Sequence, residues 1–188
     1  MANQPRSRRF DAAEHYRAHR RLTDDVLRAR GAADENGMLR DQNRLSAVRF
    51  GVATSDYNGC GWVALYNVLR LLGERMTVAD AVREMEGGLW LRGRAGASPL
   101  RLIRVLRKHG CTVTTSARKA QFDAAAGDRA GVVFYLRSHL SSGAHFAAFS
   151  RPDENGLRRF YNAADADTFA ELFAAEKPLF ALLITAEK

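Results

Sequence analysis

Cysteine is scarce in this chain: 188 residues contain two, Cys60 and Cys111. A disulfide framework would need more of them, so both are read as thiols. The sequence also lacks a CxxC pair, a Cys/His cluster with zinc-ligand spacing and an HExxH motif. His15 and His19 stand at helical i, i+4 spacing in a polar, basic stretch, and that pair alone does not make a metal site. Neither metal nor cofactor is expected. No apolar run approaches the roughly 20 residues of a membrane span, and the opening stretch MANQPRSRRFDAAEHYR has no apolar signal core. The expected compartment is therefore the cytoplasm, with no membrane contact. Internal repeats and low-complexity tracts are absent as well.

What is present is the composition of an ordinary globular protein, 46% hydrophobic and 27% charged. The length suits one catalytic domain with a full core. The net charge of +8 is carried mostly by arginine and is spread along the chain. Arg101, Arg104 and Lys108 recur on one face of an expected helix, backed by Arg92 and Arg94. A basic binding module would use that face, but the aromatic residues that would stack on bases are sparse, and nucleic acid is not expected as a partner.

Residues 11–30 read as a polar helix with a thin apolar stripe (Leu22, Val26, Leu27), capped by Asp11 and weakly docked. Residues 31–46 are rich in turn formers and should loop across the surface to a short strand at Val48–Ala53. This divides the chain into an N-terminal extension, 1–45, and a catalytic domain, 46–188. CGWVALYNVLRLL (60–72) is apolar on nearly every face, the pattern of a helix buried all round. Thr77 caps a second helix and Ser98-Pro99 starts a third, which ends at His109-Gly110. The period then shifts toward 2: strands are expected at 111–115, 131–136, 144–150, 157–162 and 178–185, with short helices near 120–126 and 167–175. Helices followed by an antiparallel sheet make an α+β fold of two lobes.

Cys60 stands at the first turn of the apolar helix, between Gly59 and Gly61. Unpaired helix N–H groups and the helix dipole favour a thiolate there, and flanking glycines allow close approach of a substrate backbone. A helix terminus contributes about 0.3 to 2 kcal/mol, too little to ionise a thiol fully at neutral pH, so a cationic histidine partner is expected. His145, in GAHFAAF at the mouth of a strand, is the best-placed base; His139, in SHLSSG, is the next candidate, and His109 reads as a helix C-terminal residue. Asn162 follows His145 by 17 residues, so a hairpin turning at 152–156 would set them side by side to orient the imidazole; Asp165 and Asp167 are the alternatives. The oxyanion hole would use the Cys60 amide and a side-chain donor from the preceding loop, Asn58. Cys111, in GCTVTT, reads as core packing.

The segments DYNGCGWVALYNVL (56–69), GAHF (143–146) and Tyr161-Asn162 resemble the compact papain-like cysteine peptidases, especially bacterial double-glycine leader peptidase domains. The resemblance spans about residues 48–185. It implies a papain-like two-lobe fold, a helical lobe led by the nucleophile and an antiparallel sheet lobe. It also implies a catalytic triad of Cys60, His145 and Asn162 and cofactor-free cleavage of peptide or amide bonds in a peptide or protein substrate. Those families carry a glutamine six residues before the nucleophile, where this chain has Thr54. An acyltransferase, transglutaminase or deamidase would share the same acyl-enzyme.

Overall fold

The computed structural model describes residues 12–93, 96–137 and 143–188. Two short helices come first, α1 (Ala12–His19) and α2 (Asp24–Ala29), where the sequence suggested one. Thr23 divides them: its hydroxyl accepts from the Val26 amide, the signature of a new helix start. Asp11, the expected cap, lies outside the described residues. A 3-10 turn at Gln42–Leu45 follows, then a small hairpin, β1 (Arg49–Phe50) and β2 (Ala53–Thr54), in place of the single strand expected at 48–53. Next come α3 (Ser55–Asn58), α4 (Cys60–Leu71), α5 (Val78–Glu86) and α6 (Pro99–Lys108). Thr77 and Ser98 cap the last two through their hydroxyls, as their sequence positions suggested.

The second half holds β3 (Thr112–Ser116), α7 (Phe122–Ala126), β4 (Ala130–Arg137), β5 (Ala144–Phe149), β6 (Phe160–Tyr161), α8 (Phe169–Glu176) and β7 (Pro178–Glu187). Five of these strands form one antiparallel sheet in the order β3-β7-β4-β5-β6. The fold class is α+β, as expected. The sheet is covered on both faces. Val132, Phe134, Phe146, Ala148 and Ile184 pack on α4 and its neighbours, while Val133, Tyr135, Ala147, Phe149 and Leu183 pack on α7 and α8. Both faces are thus buried, which is why β4 reads as a continuous apolar run, AGVVFY, instead of alternating.

α4 is buried from Cys60 through Leu69, as an all-apolar helix must be. Its polar interruptions anchor the N-terminal segment. The Asn67 side chain accepts from the Leu39 amide and donates to the Leu39 carbonyl, both at 2.8 Å. Arg70 pairs with Asp24 at 2.7 Å, and the Tyr66 hydroxyl donates to the same carboxylate at 2.9 Å. Leu27, Ala32, Leu39 and Leu45 accordingly lie at 0–1% exposure in the same core cluster as α4. The weak docking expected of this segment is corrected by these contacts. Its apolar stripe is thin, but polar groups of α4 reach out to hold it.

Candidate active site

Cys60 is the first residue of α4, and the turn into it depends on Gly59: a Cβ there would lie 2.5 Å from the Ser55 carbonyl oxygen. The thiol is buried, with the residue at 6% exposure. Its position follows from strand pairing. β6 pairs with β5 only at Ala148 and Phe149, so the edge of β5 is unpaired by β6 from residue 144 to 147. The Ser150 amide donates across to Arg159, which fixes the even-numbered residues of β5 as the ones whose amides face that edge. Beyond the end of β6, the Phe146 amide lies close enough to the Cys60 sulfur to favour its ionised form.

His145 is the adjoining residue on β5. Its ring lies beside Tyr135, its cross-strand partner, with centroids 5.4 Å apart. The ring Nε2 and the main-chain carbonyl of Asn162 are 2.5 Å apart. A carbonyl only accepts, so Nε2 carries the proton and the lone pair of the neutral ring is on Nδ1. Among the described residues no hydrogen bond joins the ring to the Cys60 sulfur. The structure brings the thiol to the amide next to His145, and His145 to Asn162.

Asn162 meets the imidazole across the β5–β6 hairpin, but with its backbone. It adopts φ 59°, the left-handed region that asparagine tolerates better than most residues. Its side chain turns to the N-terminal segment, where Oδ1 accepts from the Gln42 amide (3.1 Å) and Nδ2 donates to Gln42 Oε1 (2.8 Å). Asp165 and Asp167, the alternatives, are exposed. Asn58 is buried, and its amide donates to the Phe50 carbonyl at 3.1 Å. His139 lies outside the described residues. His109 caps the C-terminus of α6 and pairs with Glu74, and Cys111 is buried in the core. His15 pairs with Glu86 at 3.0 Å, and His19 accepts from the Arg49 amide. Glu84 sits against the basic face of α6, paired with both Arg101 and Lys108.

A polar cavity of about 250 Å³ opens on the His145 side, walled by Arg40, Gln42, Arg137, His145, Asn162 and Glu176 among others; Cys60 is not part of its wall. Arg137 Nε donates to Glu176 at 2.7 Å. Sequence reasoning missed Gln42, Arg137 and Glu176. Gln42 and Glu176 come from segments outside those that carry the predicted triad and Arg137 from the strand paired with β5, and nothing in their local patterns sets them apart from ordinary surface polar residues.

Burial pushes the Cys60 thiol up to about 11, opposed in part by the amides of Phe146 and Gly61 and the positive charge of Arg137. Burial also lowers His145 below its ordinary value, against the hydrogen bond to Asn162, which favours the charged ring. Burial works to raise the Glu176 carboxyl as well, but its Arg137 partner outweighs that and holds it below the usual range. Both shifts at the proposed pair disfavour a resting thiolate–imidazolium. The helix-terminus effect invoked from sequence is overridden by desolvation, the larger quantity for a thiol this deeply buried.

No protein-family model matches the chain, and no curated protein matches it. Among solved structures, the chain is similar to the peptidase domain of Streptococcus ComA, a bi-functional ABC transporter involved in a quorum sensing pathway. The identity is 15% and the TM-score 0.48, with 69% of this chain and 91% of that chain covered. Among the described residues, no helix is long and apolar enough to cross a membrane.

Proposed function

We propose that this chain is a cysteine hydrolase that cleaves peptide or amide bonds through an acyl-enzyme. The supporting observation is the meeting at β5: Cys60, at the head of a buried helix, sits on the Phe146 amide, next to an imidazole whose Nε2 is engaged by Asn162. In this reading the resting pair is neutral. As a substrate carbonyl enters, His145 Nδ1 takes the proton of the Cys60 thiol while the sulfur attacks carbon, and the Phe146 amide stabilises the charge gathering on sulfur. The Cys60 amide and Asn58 stabilise the oxyanion. The imidazolium then protonates the leaving amine, the C–N bond breaks, and water, deprotonated by the same ring, releases the acid. Asn162 steers the ring through its carbonyl.

The test is competitive labelling with iodoacetamide near neutral pH, read by mass spectrometry. Because the resting thiol is neutral, its labelling depends on His145 taking the proton as the sulfur attacks: Cys60 should be modified faster than Cys111, and His145→Ala should abolish the difference. Equal, slow labelling of both thiols in the wild-type protein would sink the assignment.

A further inference from the structure

Residues 120 apart in sequence meet at the back of the candidate site. The Gln42 side chain accepts from Asn162 Nδ2 (2.8 Å) while its own Nε2 donates to the Asp56 carbonyl (3.0 Å), and its main-chain amide donates to Asn162 Oδ1 (3.1 Å). Gln42 therefore grips both hydrogen-bonding ends of one amide and ties it to α3, just before the nucleophile. The residue it grips has a left-handed backbone, φ 59°. An L-residue leaves that region readily for extended or helical backbone unless its surroundings hold it, and such conformations concentrate where function needs them.

The backbone angle matters because the group that meets His145 is the Asn162 carbonyl. Rotation of Asn162 out of the left-handed region would swing its backbone, and the ring would lose its acceptor. In this chain the asparagine side chain is consumed by Gln42, and the steering of the imidazole is passed to the main chain. We infer that Gln42 is a positioning residue: by clamping the Asn162 amide it holds the Asn162 carbonyl on His145 Nε2 and so keeps Nδ1 as the basic nitrogen. The inference rests on the cysteine-hydrolase reading for its consequence in catalysis, and on geometry alone for its effect on the ring. It gives the N-terminal segment, otherwise without an assigned role, a part in the site.

Among the described residues, the charged and titratable groups around the ring are Cys60 from the head of α4, Tyr135 and Arg137 from β4, Glu176 from the end of α8, and Arg40 and Asp41 from the N-terminal side of the cavity. None of them makes the Nε2 hydrogen bond. Gln42 carries no charge, so its removal changes the ring through Asn162 and not through a field.

Two readouts on the full chain test this. The first is the His145 Nε2 proton in the NMR spectrum, which a hydrogen bond to a carbonyl shifts downfield and protects from exchange. Gln42→Met, which keeps the bulk and loses the amide, should weaken or abolish that signal with the fold intact by amide spectrum. Gln42→Glu retains an oxygen acceptor for Asn162 Nδ2 and should restore it. The second is the pH profile of Cys60 alkylation. The Asn162 carbonyl favours the charged ring, so in Gln42→Met the acid limb should move to lower pH, and the rate should fall about ten-fold, the worth of roughly one hydrogen bond. A protected Nε2 proton in Gln42→Met identical to wild type would overturn the inference, as would an unmoved acid limb. If wild-type Cys60 labels no faster than Cys111, the hydrolase reading fails instead, and the Nε2 signal still decides whether Gln42 holds the ring.

Discussion

The Cys60 sulfur lies against the Phe146 amide, which favours its ionised form, at a stretch of β5 that β6 leaves unpaired. That contact places the thiol where a strand edge ends and a helix begins, and it makes the geometry of the α3–α4 junction decisive for the site.

The two glycines beside Cys60 should therefore differ in their tolerance. A Cβ on Gly59 would lie 2.5 Å from the Ser55 carbonyl oxygen and 2.7 Å from Ser55 Cβ, rigid neighbours that cannot yield without moving the helix start. A Cβ on Gly61 would meet Ala97 Cβ at 3.0 Å and the end of the Met85 side chain at 3.3 Å, and methionine can swing aside. Gly59→Ala is expected to cost about 2 to 3 kcal/mol in urea unfolding and Gly61→Ala about 1 kcal/mol or less. Cys60 labelling should change more in the first. Equal costs would show that the junction is not the tight point.

Asn67 should behave as a fastener between α4 and the N-terminal segment. It is fully buried and satisfies both main-chain groups of Leu39. Asn67→Ala strands a buried N–H and a buried C=O, each worth about 1 to 3 kcal/mol unsatisfied, so the expected loss is on the order of 3 kcal/mol. Hydrogen exchange should show the Leu39 amide losing protection first. A loss below about 1 kcal/mol would mean that water replaces the side chain there.

The buried thiol also predicts how stability depends on alkaline pH. Cys60 is raised from 9.0 to about 11 in the folded chain. The unfolded chain thus ionises first: the stabilisation is intact below pH 9 and is lost as pH rises from 9 through about 11. The shift corresponds to roughly 2 to 3 kcal/mol, since one pKa unit is worth about 1.4 kcal/mol. Cys60→Ser has no such thiol, and its unfolding free energy should fall less steeply between pH 8.5 and 10.5 than that of wild type. Parallel curves would place the thiol in a far wetter setting.

Local patterns were legible wherever a residue acts through its own neighbours in sequence. The all-apolar stretch 60–72 became a buried helix, Thr77 and Ser98 became caps, and the strand segments after residue 110 formed one antiparallel sheet. The α+β class followed from those patterns. The depth at which the N-terminal segment docks did not. Its own apolar stripe is thin, and the forces that bury it, the Asn67 grip on Leu39 and the Asp24–Arg70 pair, belong half to another helix.

For the site, sequence by itself determined that Cys60 heads a buried helix and that His145 and Asn162 sit across a hairpin. Tertiary structure decided what surrounds those groups. Register and the early end of β6 set the thiol on the Phe146 amide. Burial raised the Cys60 thiol and lowered His145, a desolvation effect that no spacing encodes. Asn162, with its left-handed backbone, meets His145 through its carbonyl and not its side chain, which Gln42 holds from 120 residues away. Spacing along a chain reports which residues can be neighbours; hydrogen-bond partners and desolvation are set by the elements packed around them.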